Sequence, residues 1–363
     1  MEEARMIEWT GNRTRVLLNP RMPLKDQEKL ERRGRSARLP GHIIIATSGS
    51  SGGLKLVALS KEAVLASAAA VNERLEATAS DVWCCVLPTF HVGGLGIYAR
   101  AHLSGARVLA MSWVPQVFAT TEATLASLVP AQVHDLVNAG FKPPSRMRAI
   151  LVGGGPMHDD LNDKARALGW PVLPSYGMSE CSSTIAVCDV LLSHIEAREQ
   201  EQGRLAFRGP SLFTAYITDA GVIDPKVSGW FLTDDVGEVD GRTLRVYGRR
   251  GDFIKIGGES VDLARLDRIL ESVRGSVDAA IVSVVDDRLG NVIHLATTSE
   301  ADSVVTRFNE SVLPFERIRR THLVSSIPRS SLGKLLRSEL ARRVTSQRNG
   351  DRNAVENPER DRQ

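Results

Sequence analysis

The sequence predicts an α/β protein with a large N-terminal domain of layered α/β and β-rich parts and a small α+β domain at the C-terminal end. Three observations predict it. Short apolar, β-branched runs at residues 43–46, 82–87, 107–110 and 149–152 alternate with helix-period segments at 61–75, 122–128 and 161–168, the pattern of strands layered with helices. Between residues 203 and 246 the spacing shortens to turn-punctuated strands at 204–208, 237–240 and 243–246. Past the polar stretch Gly248-Arg249-Arg250-Gly251-Asp252, a smaller alternation follows: strand 253–256, helix 263–273, strands 279–285 and 292–297, and helix 303–312.

Residues 1–40, charged and punctuated by Pro20, Pro23 and Pro40, read as a short lead-in. The core domain is expected at 41–247, a boundary at 248–252, the small domain at 253–346, and a disordered polar tail at 347–363. The 363 residues, 42% hydrophobic and 25% charged, suffice for two domains and more than one core. With 46 basic and 43 acidic residues the net charge is +3, which gives no argument for a nucleic-acid or membrane partner. Cys84, Cys85, Cys181 and Cys188 form no C-x-x-C pair and meet no histidine at zinc-ligand spacing, so neither a disulfide framework nor a structural metal is indicated. The start, Met1-Glu2-Glu3-Ala4-Arg5, lacks signal-peptide character and no apolar run is long enough to span a bilayer, so a reducing cytoplasm is expected.

The stretch around which the rest is organised is Thr47-Ser48-Gly49-Ser50-Ser51-Gly52-Gly53-Leu54-Lys55. Glycines let successive N–H groups turn into one concavity, hydroxyls add donors, and a lysine adds charge for a polyphosphate. Preceded by a buried strand and followed by a helix with Ser60 as N-cap and Val64, Ala68, Val71 and Leu75 on one stripe, it reads as a strand–loop–helix phosphate site. The Walker pattern is absent, since Lys55 stands between two leucines. A flexible surface loop is the bland alternative.

Five further stretches carry candidate chemistry. Leu87-Pro88-Thr89-Phe90-His91-Val92-Gly93-Gly94 sets a histidine beside an aromatic where a pocket could be gated, although a packed structural histidine is the commoner reading. In Val152-Gly153-Gly154-Gly155-Pro156, glycines after a strand let backbone approach a flat ligand. Ser175-Tyr176-Gly177-Met178-Ser179-Glu180 joins an aromatic face, a hydroxyl and a carboxylate suited to a base, a phosphate and magnesium, against the rival reading of a turn with a core tyrosine. Gly229-Trp230-Phe231-Leu232-Thr233-Asp234-Asp235 ends in carboxylates that can accept from two ribose hydroxyls. Pro328-Arg329-Ser330-Ser331-Leu332-Gly333-Lys334 places a lysine after a glycine turn, ordinarily a surface feature.

Taken in order, TSGSSGGLK, PTFHVGG, VGGGP, YGMSE, GWFLTDD, GRRGD, IKIGGE and PRSSLGK resemble the acyl-adenylate-forming superfamily of acyl-CoA synthetases, luciferases and nonribosomal peptide adenylation domains, over residues 43–337. Within it, Cys181, Ser182 and Ser183 after Glu180 and the short N-terminal region look most like the o-succinylbenzoate-CoA ligase group of menaquinone biosynthesis. The resemblance implies a ligase in which a carboxylate attacks the α-phosphorus of ATP, and coenzyme A then displaces AMP from the acyl-adenylate. It implies a large adenylate-forming domain and a small mobile lid, with 248–252 as the hinge.

Carried over by position, Thr47 to Lys55 would hold the β- and γ-phosphates, Gly153, Gly154, Gly155, Pro156 and Tyr176 the adenine, Ser179 the α-phosphate, Glu180 Mg2+, and Asp235 with Arg249 the ribose, with Gly177 also on the nucleotide side. By the same resemblance Lys334 is expected to bridge the attacking carboxylate and the α-phosphate. His91, Gly94 and Ser182 line the acyl and thiol side, and Gly257 and Gly258 border the pantetheine channel. The sequence departs from the family pattern where Asp234 replaces the glycine of T-G-D, where Gly251 takes a position often aspartate or lysine, where Ser50 and Ser51 replace threonines, and in its short N-terminal region, for which a homodimer is the expected cover. The implied partners are ATP, coenzyme A and a small carboxylic acid, with o-succinylbenzoate leading. Competing readings are a ligase for another acyl or aryl acid, a carrier-protein adenylation enzyme, and a non-catalytic nucleotide-binding module.

Overall fold

The computed structural model describes residues 7–48, 54–155, 157, 159–249, 253–328, 335, 337 and 339–345. The chain divides into two compact units, Met1–Gly251 and Asp252–Gln363.

The first unit is built on an eleven-stranded sheet. One half is parallel, with spatial order Arg107–Ala110, Val82–Cys85, Leu125–Leu128, Ala149–Val152 and Val172–Met178. The three central strands of this half are buried at every residue, which is why they read as continuous apolar runs. Alternate residues feed two cores. Trp83, Cys85, Leu125, Ala149 and Leu151 face the helices Lys61–Leu75 and Val92–Ser104. Cys84, Ala126, Leu128, Ile150 and Val152 face the helices Pro130–Asn138 and Asp159–Ala167.

At Val172–Met178 the sheet changes character. Residues 172–174 pair in parallel with Ala149–Val152, and residues 175–178 pair antiparallel with Ser183–Val187. From there the sheet continues antiparallel through Val190–Leu191, Thr243–Arg249, Phe231–Asp240, Arg204–Arg208 and Glu196–Glu199. A second, five-stranded sheet runs Arg15–Leu17, His42–Ser48, Leu54–Ser60, Ala215–Thr218 and Gly221–Ile223.

Three expectations are corrected. The segment 122–128, expected as a helix, ends in the buried strand Leu125–Leu128, because a short apolar run has no periodicity that separates the two. The glycine-rich stretch does not lead into a helix. It joins the antiparallel hairpin His42–Ser48 and Leu54–Ser60, and only then does Ser60 cap the helix, its hydroxyl accepting from the Ala63 N–H at 3.0 Å. Nor is the part of 1–40 described here a lead-in. Arg15–Leu17 pairs in parallel with Ile43 to Ile45, Trp9 and Leu17 enter the main core, and buried Lys61 donates to the Gly11 carbonyl at 2.5 Å.

The second unit pairs the hairpin Phe253–Ile256 and Glu259–Asp262 with helix Leu263–Arg274 and a three-stranded sheet. That sheet runs Ala279–Asp286, Gly290–Thr297 and Ile318–Leu323. One face packs on Leu266, Leu270, Val304 and Phe308, the other on Leu340 and Val344. This is an α+β unit, as the sequence predicts. Among the described residues, no helix is long and apolar enough to cross a membrane.

Candidate active site

The strand Val172–Met178 lies where the sheet passes from parallel to antiparallel pairing, and ligands of α/β sheets bind where topology switches at strand ends. A register shift falls between Tyr176 and Gly177. Gly177 is required there, because a Cβ would stand 1.9 Å from the Ser183 carbonyl oxygen. One strand over, Gly153 follows Val152, and its Cβ would meet the Ser175 hydroxyl at 2.9 Å. That hydroxyl donates to the Val152 carbonyl at 3.0 Å. Gly154 holds φ +81, and Gly155 closes the described part of the run. Bare backbone therefore lies beside the strand that carries Tyr176.

The Tyr176 phenol donates to Asp235 Oδ2 at 2.5 Å. Successive residues of a strand point to opposite faces, and the two neighbouring carboxylates are separated accordingly. Asp234 turns away to Arg204 at 3.1 Å. Asp235 is also the residue in register with Arg249 on the adjacent strand. The structure thus puts Asp235, and not Asp234, on Tyr176.

Glu180 lies in the short turn Ser179–Cys181 that follows the strand. Its carbonyl accepts from the Phe213 N–H at 2.8 Å, and its Oε1 accepts from the Tyr216 phenol at 2.8 Å. The Lys55 ammonium sits over the ring of that same tyrosine, 4.9 Å from the centroid. Thr47 is in register opposite Lys55. Cys181 is fully buried, and burial first, then the Glu180 and Asp235 charges, hold its thiol well above the usual range. It is no thiolate at neutral pH.

Ser182, expected on the substrate side, is corrected. It is buried in the left-handed conformation at φ +57, and its hydroxyl donates to the Ser211 carbonyl at 2.7 Å, so that hydroxyl is committed to securing the turn. Ser179 opens the turn. His91 precedes the helix Val92–Ser104 as its N-cap residue, with its ring tilted against Phe90 at 4.6 Å between centroids. A Cβ on Gly94 would lie 2.3 Å from the Pro88 carbonyl oxygen, so this glycine lets the helix start close against the Pro88 turn.

Sequence reasoning missed Arg100, two and a half turns beyond His91 on that helix. Its guanidinium is buried and donates to Ser127 Oγ at 3.1 Å, Ser183 Oγ at 3.2 Å and Thr184 Oγ1 at 3.1 Å. No carboxylate among the described residues meets it, and its Nε has no partner. Burial pulls its pKa down to about 10, so it remains charged at neutral pH. The available signal was an arginine in an otherwise apolar helix, which marks a buried cation only once the partner strands are known.

Gly49, Ser50, Ser51, Gly52, Pro156 and Lys334 lie outside the described residues, as do the side chains of Ser48 and Arg249. In the second unit, Gly257 and Gly258, at φ +57 and +92, form the two-residue turn of the hairpin, a conformation that favours paired glycines. Among the described residues no three His, Cys, Asp or Glu side chains cluster as a metal cage. One carboxylate together with substrate oxygens and water is a normal magnesium site, and Glu180 fits it.

Comparison with known proteins gives a consistent result. Residues 40–209 match the family described as AMP-binding enzyme. A probable 2-succinylbenzoate–CoA ligase of Mycobacterium tuberculosis is 30% identical over 84% of this chain and 85% of its own length. A double mutant of o-succinylbenzoate CoA synthetase from Bacillus subtilis, solved with its product analogue OSB-NCoA, superposes with TM-score 0.73 at 26% identity, covering 82% of this chain and 68% of that one. The Bacillus subtilis synthetase solved in complex with ATP and magnesium ion aligns with TM-score 0.55 at 25% identity, over 82% of this chain and 69% of that one. With its glycine-lined sheet seam, its Tyr176–Asp235 pair and this extent of similarity, the chain belongs to the AMP-binding family of adenylate-forming enzymes.

Proposed function

We propose that this chain adenylates o-succinylbenzoate with ATP and transfers the acyl group to coenzyme A, releasing pyrophosphate and then AMP. The observation that carries the reading is that the turn 176–180 meets Asp235 at one end and Tyr216 with Lys55 at the other. One short segment thereby joins a ribose acceptor to a cation on the phosphate side. Tyr176 and residues 153–155 bound the adenine, Asp235 takes the ribose hydroxyls, and Thr47 to Lys55 supplies donors to the terminal phosphates. Glu180 would hold a magnesium ion there, which would supply charge neutralisation for the leaving pyrophosphate.

In the first step a carboxylate oxygen bonds the α-phosphorus as the bond to pyrophosphate breaks. Two anions must meet in line, which requires positioning and fixed positive charge. Lys334 supplies that charge. In the second, the coenzyme A thiol gives up its proton and its sulfur bonds the acyl carbon as AMP leaves. His91 gates this side, residues 248–252 serve as the hinge, and the second unit is the lid.

The choice of acid rests on the relatives' names and on Arg100. A succinylbenzoate carries two carboxylates, and the one that is not activated needs a desolvated cation. Arg100 offers a buried guanidinium whose described hydrogen-bond partners are hydroxyls and which lies over the Trp83 ring at 5.4 Å. A carboxylate would relieve a buried charge that is otherwise costly. Arg100→Leu is expected to raise KM for o-succinylbenzoate about 100-fold, the loss typical of a charged hydrogen bond, and KM for ATP by less than about threefold. Equal rises in both would remove Arg100 from acid recognition.

The direct test is AMP and thioester formation across a panel of acids with ATP and coenzyme A. A strong preference for o-succinylbenzoate is expected. Turnover of a monocarboxylic acid instead would keep the chemistry and overturn the substrate, and inactivity across the panel would overturn the enzyme reading.

A further inference from the structure

Lys55 and Glu180 carry opposite charges at the phosphate end of the site, yet no ion pair between them is present among the described residues. Both meet Tyr216 instead. The ammonium rides on the ring face at 4.9 Å, within cation–π range, and the carboxylate accepts from the phenol at 2.8 Å.

The placement follows from the strands. Tyr216 is in register with Val57, so Lys55, two residues away, is its diagonal neighbour on the same face, within reach of a long side chain. The ring is fixed from behind by Phe213 at 4.7 Å between centroids and by Phe231 at 6.5 Å. Phe213 also donates its N–H to the Glu180 carbonyl at 2.8 Å, which ties the acidic turn to the segment that leads into the tyrosine's strand.

We propose that Tyr216 is a positioning residue that acts at both ends: its hydroxyl aims the Glu180 carboxylate at the metal, and its ring keeps the Lys55 ammonium on the phosphates and off Glu180. This inference rests on the functional reading above. Without the whole tyrosine side chain, the two opposite charges that now both touch it close into a pair that metal and nucleotide must then break. Each end has its own consequence. Loss of the hydroxyl frees the carboxylate and weakens metal binding, while the ring still carries the ammonium. Loss of the ring lets Lys55 close on Glu180 and weakens both metal and phosphate binding.

The test uses the full chain, with Mn2+ as probe and β,γ-methylene-ATP as nucleotide. Bound Mn2+ is read by electron paramagnetic resonance, and nucleotide affinity is measured separately in EDTA. Tyr216→Phe is expected to weaken Mn2+ binding to the nucleotide complex about tenfold, the scale of one hydrogen bond to a charged group, with metal-free nucleotide affinity within about twofold of wild type. Tyr216→Leu is expected to weaken both. The near-isosteric Tyr216→Phe carries the test if Tyr216→Leu does not fold. Wild-type Mn2+ affinity in Tyr216→Phe, or equal loss of metal-free nucleotide, would overturn the proposal while leaving the site assignment standing. Failure of the wild-type chain to bind the nucleotide at all would overturn the functional reading, and this inference with it.

Discussion

Asp235→Ala is expected to raise KM for ATP about 10- to 100-fold in ATP–pyrophosphate exchange, whereas Asp234→Ala changes it by less than about threefold. The two residues are adjacent and chemically identical, so the difference lies in what each faces. Asp235 accepts from the Tyr176 phenol at 2.5 Å and lies in register with Arg249. A carboxylate fixed in this way can accept from two vicinal ribose hydroxyls without first being ordered. Asp234 pairs with Arg204, with side chains 40% and 25% exposed, and a pair as open as this contributes about 1 kcal/mol at most. Removing it takes away a surface interaction and no ligand contact. The opposite ranking would assign the ribose to Asp234 and put the seam geometry out of register.

The resemblance places the ribose on Asp235, by its alignment with the aspartate of T-G-D, but the neighbouring Asp234 leaves a rival that only the strand's facing separates. Much of the rest was legible. The strands Arg107–Ala110, Ala149–Val152 and Arg204–Arg208 stand in the structure at the residues their strand-like runs and flanking turn signals predict. Ser60 caps its helix as its hydroxyl suggests. What failed did so for identifiable reasons. The run Leu54 to Ser60 lay between a conspicuous loop and a conspicuous helix, and it forms the second arm of a hairpin. Residues 7–40 hold few apolar groups, yet Trp9, Leu17 and Leu30 are buried there, because a strand at a sheet edge and the surface helix Leu24–Ser36 each bury only one side. Arg100 and Tyr216 carry no motif. Their contacts come from segments far away in sequence, Ser183 and Thr184 for the arginine, Lys55 and Glu180 for the tyrosine.

The largest effect is expected at Lys334. Lys334→Ala should lower the rate of acyl-adenylate formation by at least about 100- to 1,000-fold, the scale for removing a group aimed at developing charge. Thioester formation from supplied acyl-adenylate and coenzyme A should stay within several-fold of wild type. The asymmetry follows from charge. In adenylation an anionic carboxylate must approach a phosphate already crowded with negative oxygens, and a cation between them lowers that barrier directly. In the second step the attacked carbon is a neutral acyl group and the leaving AMP needs no such bridge. Two described cations of the first unit are already engaged. Lys55 is held over the Tyr216 ring, and Arg100 is buried among Ser127, Ser183 and Thr184. Equal loss in both half-reactions would mean that Lys334 serves the fold or both steps alike, and the account in which one lysine acts in adenylation alone would be wrong.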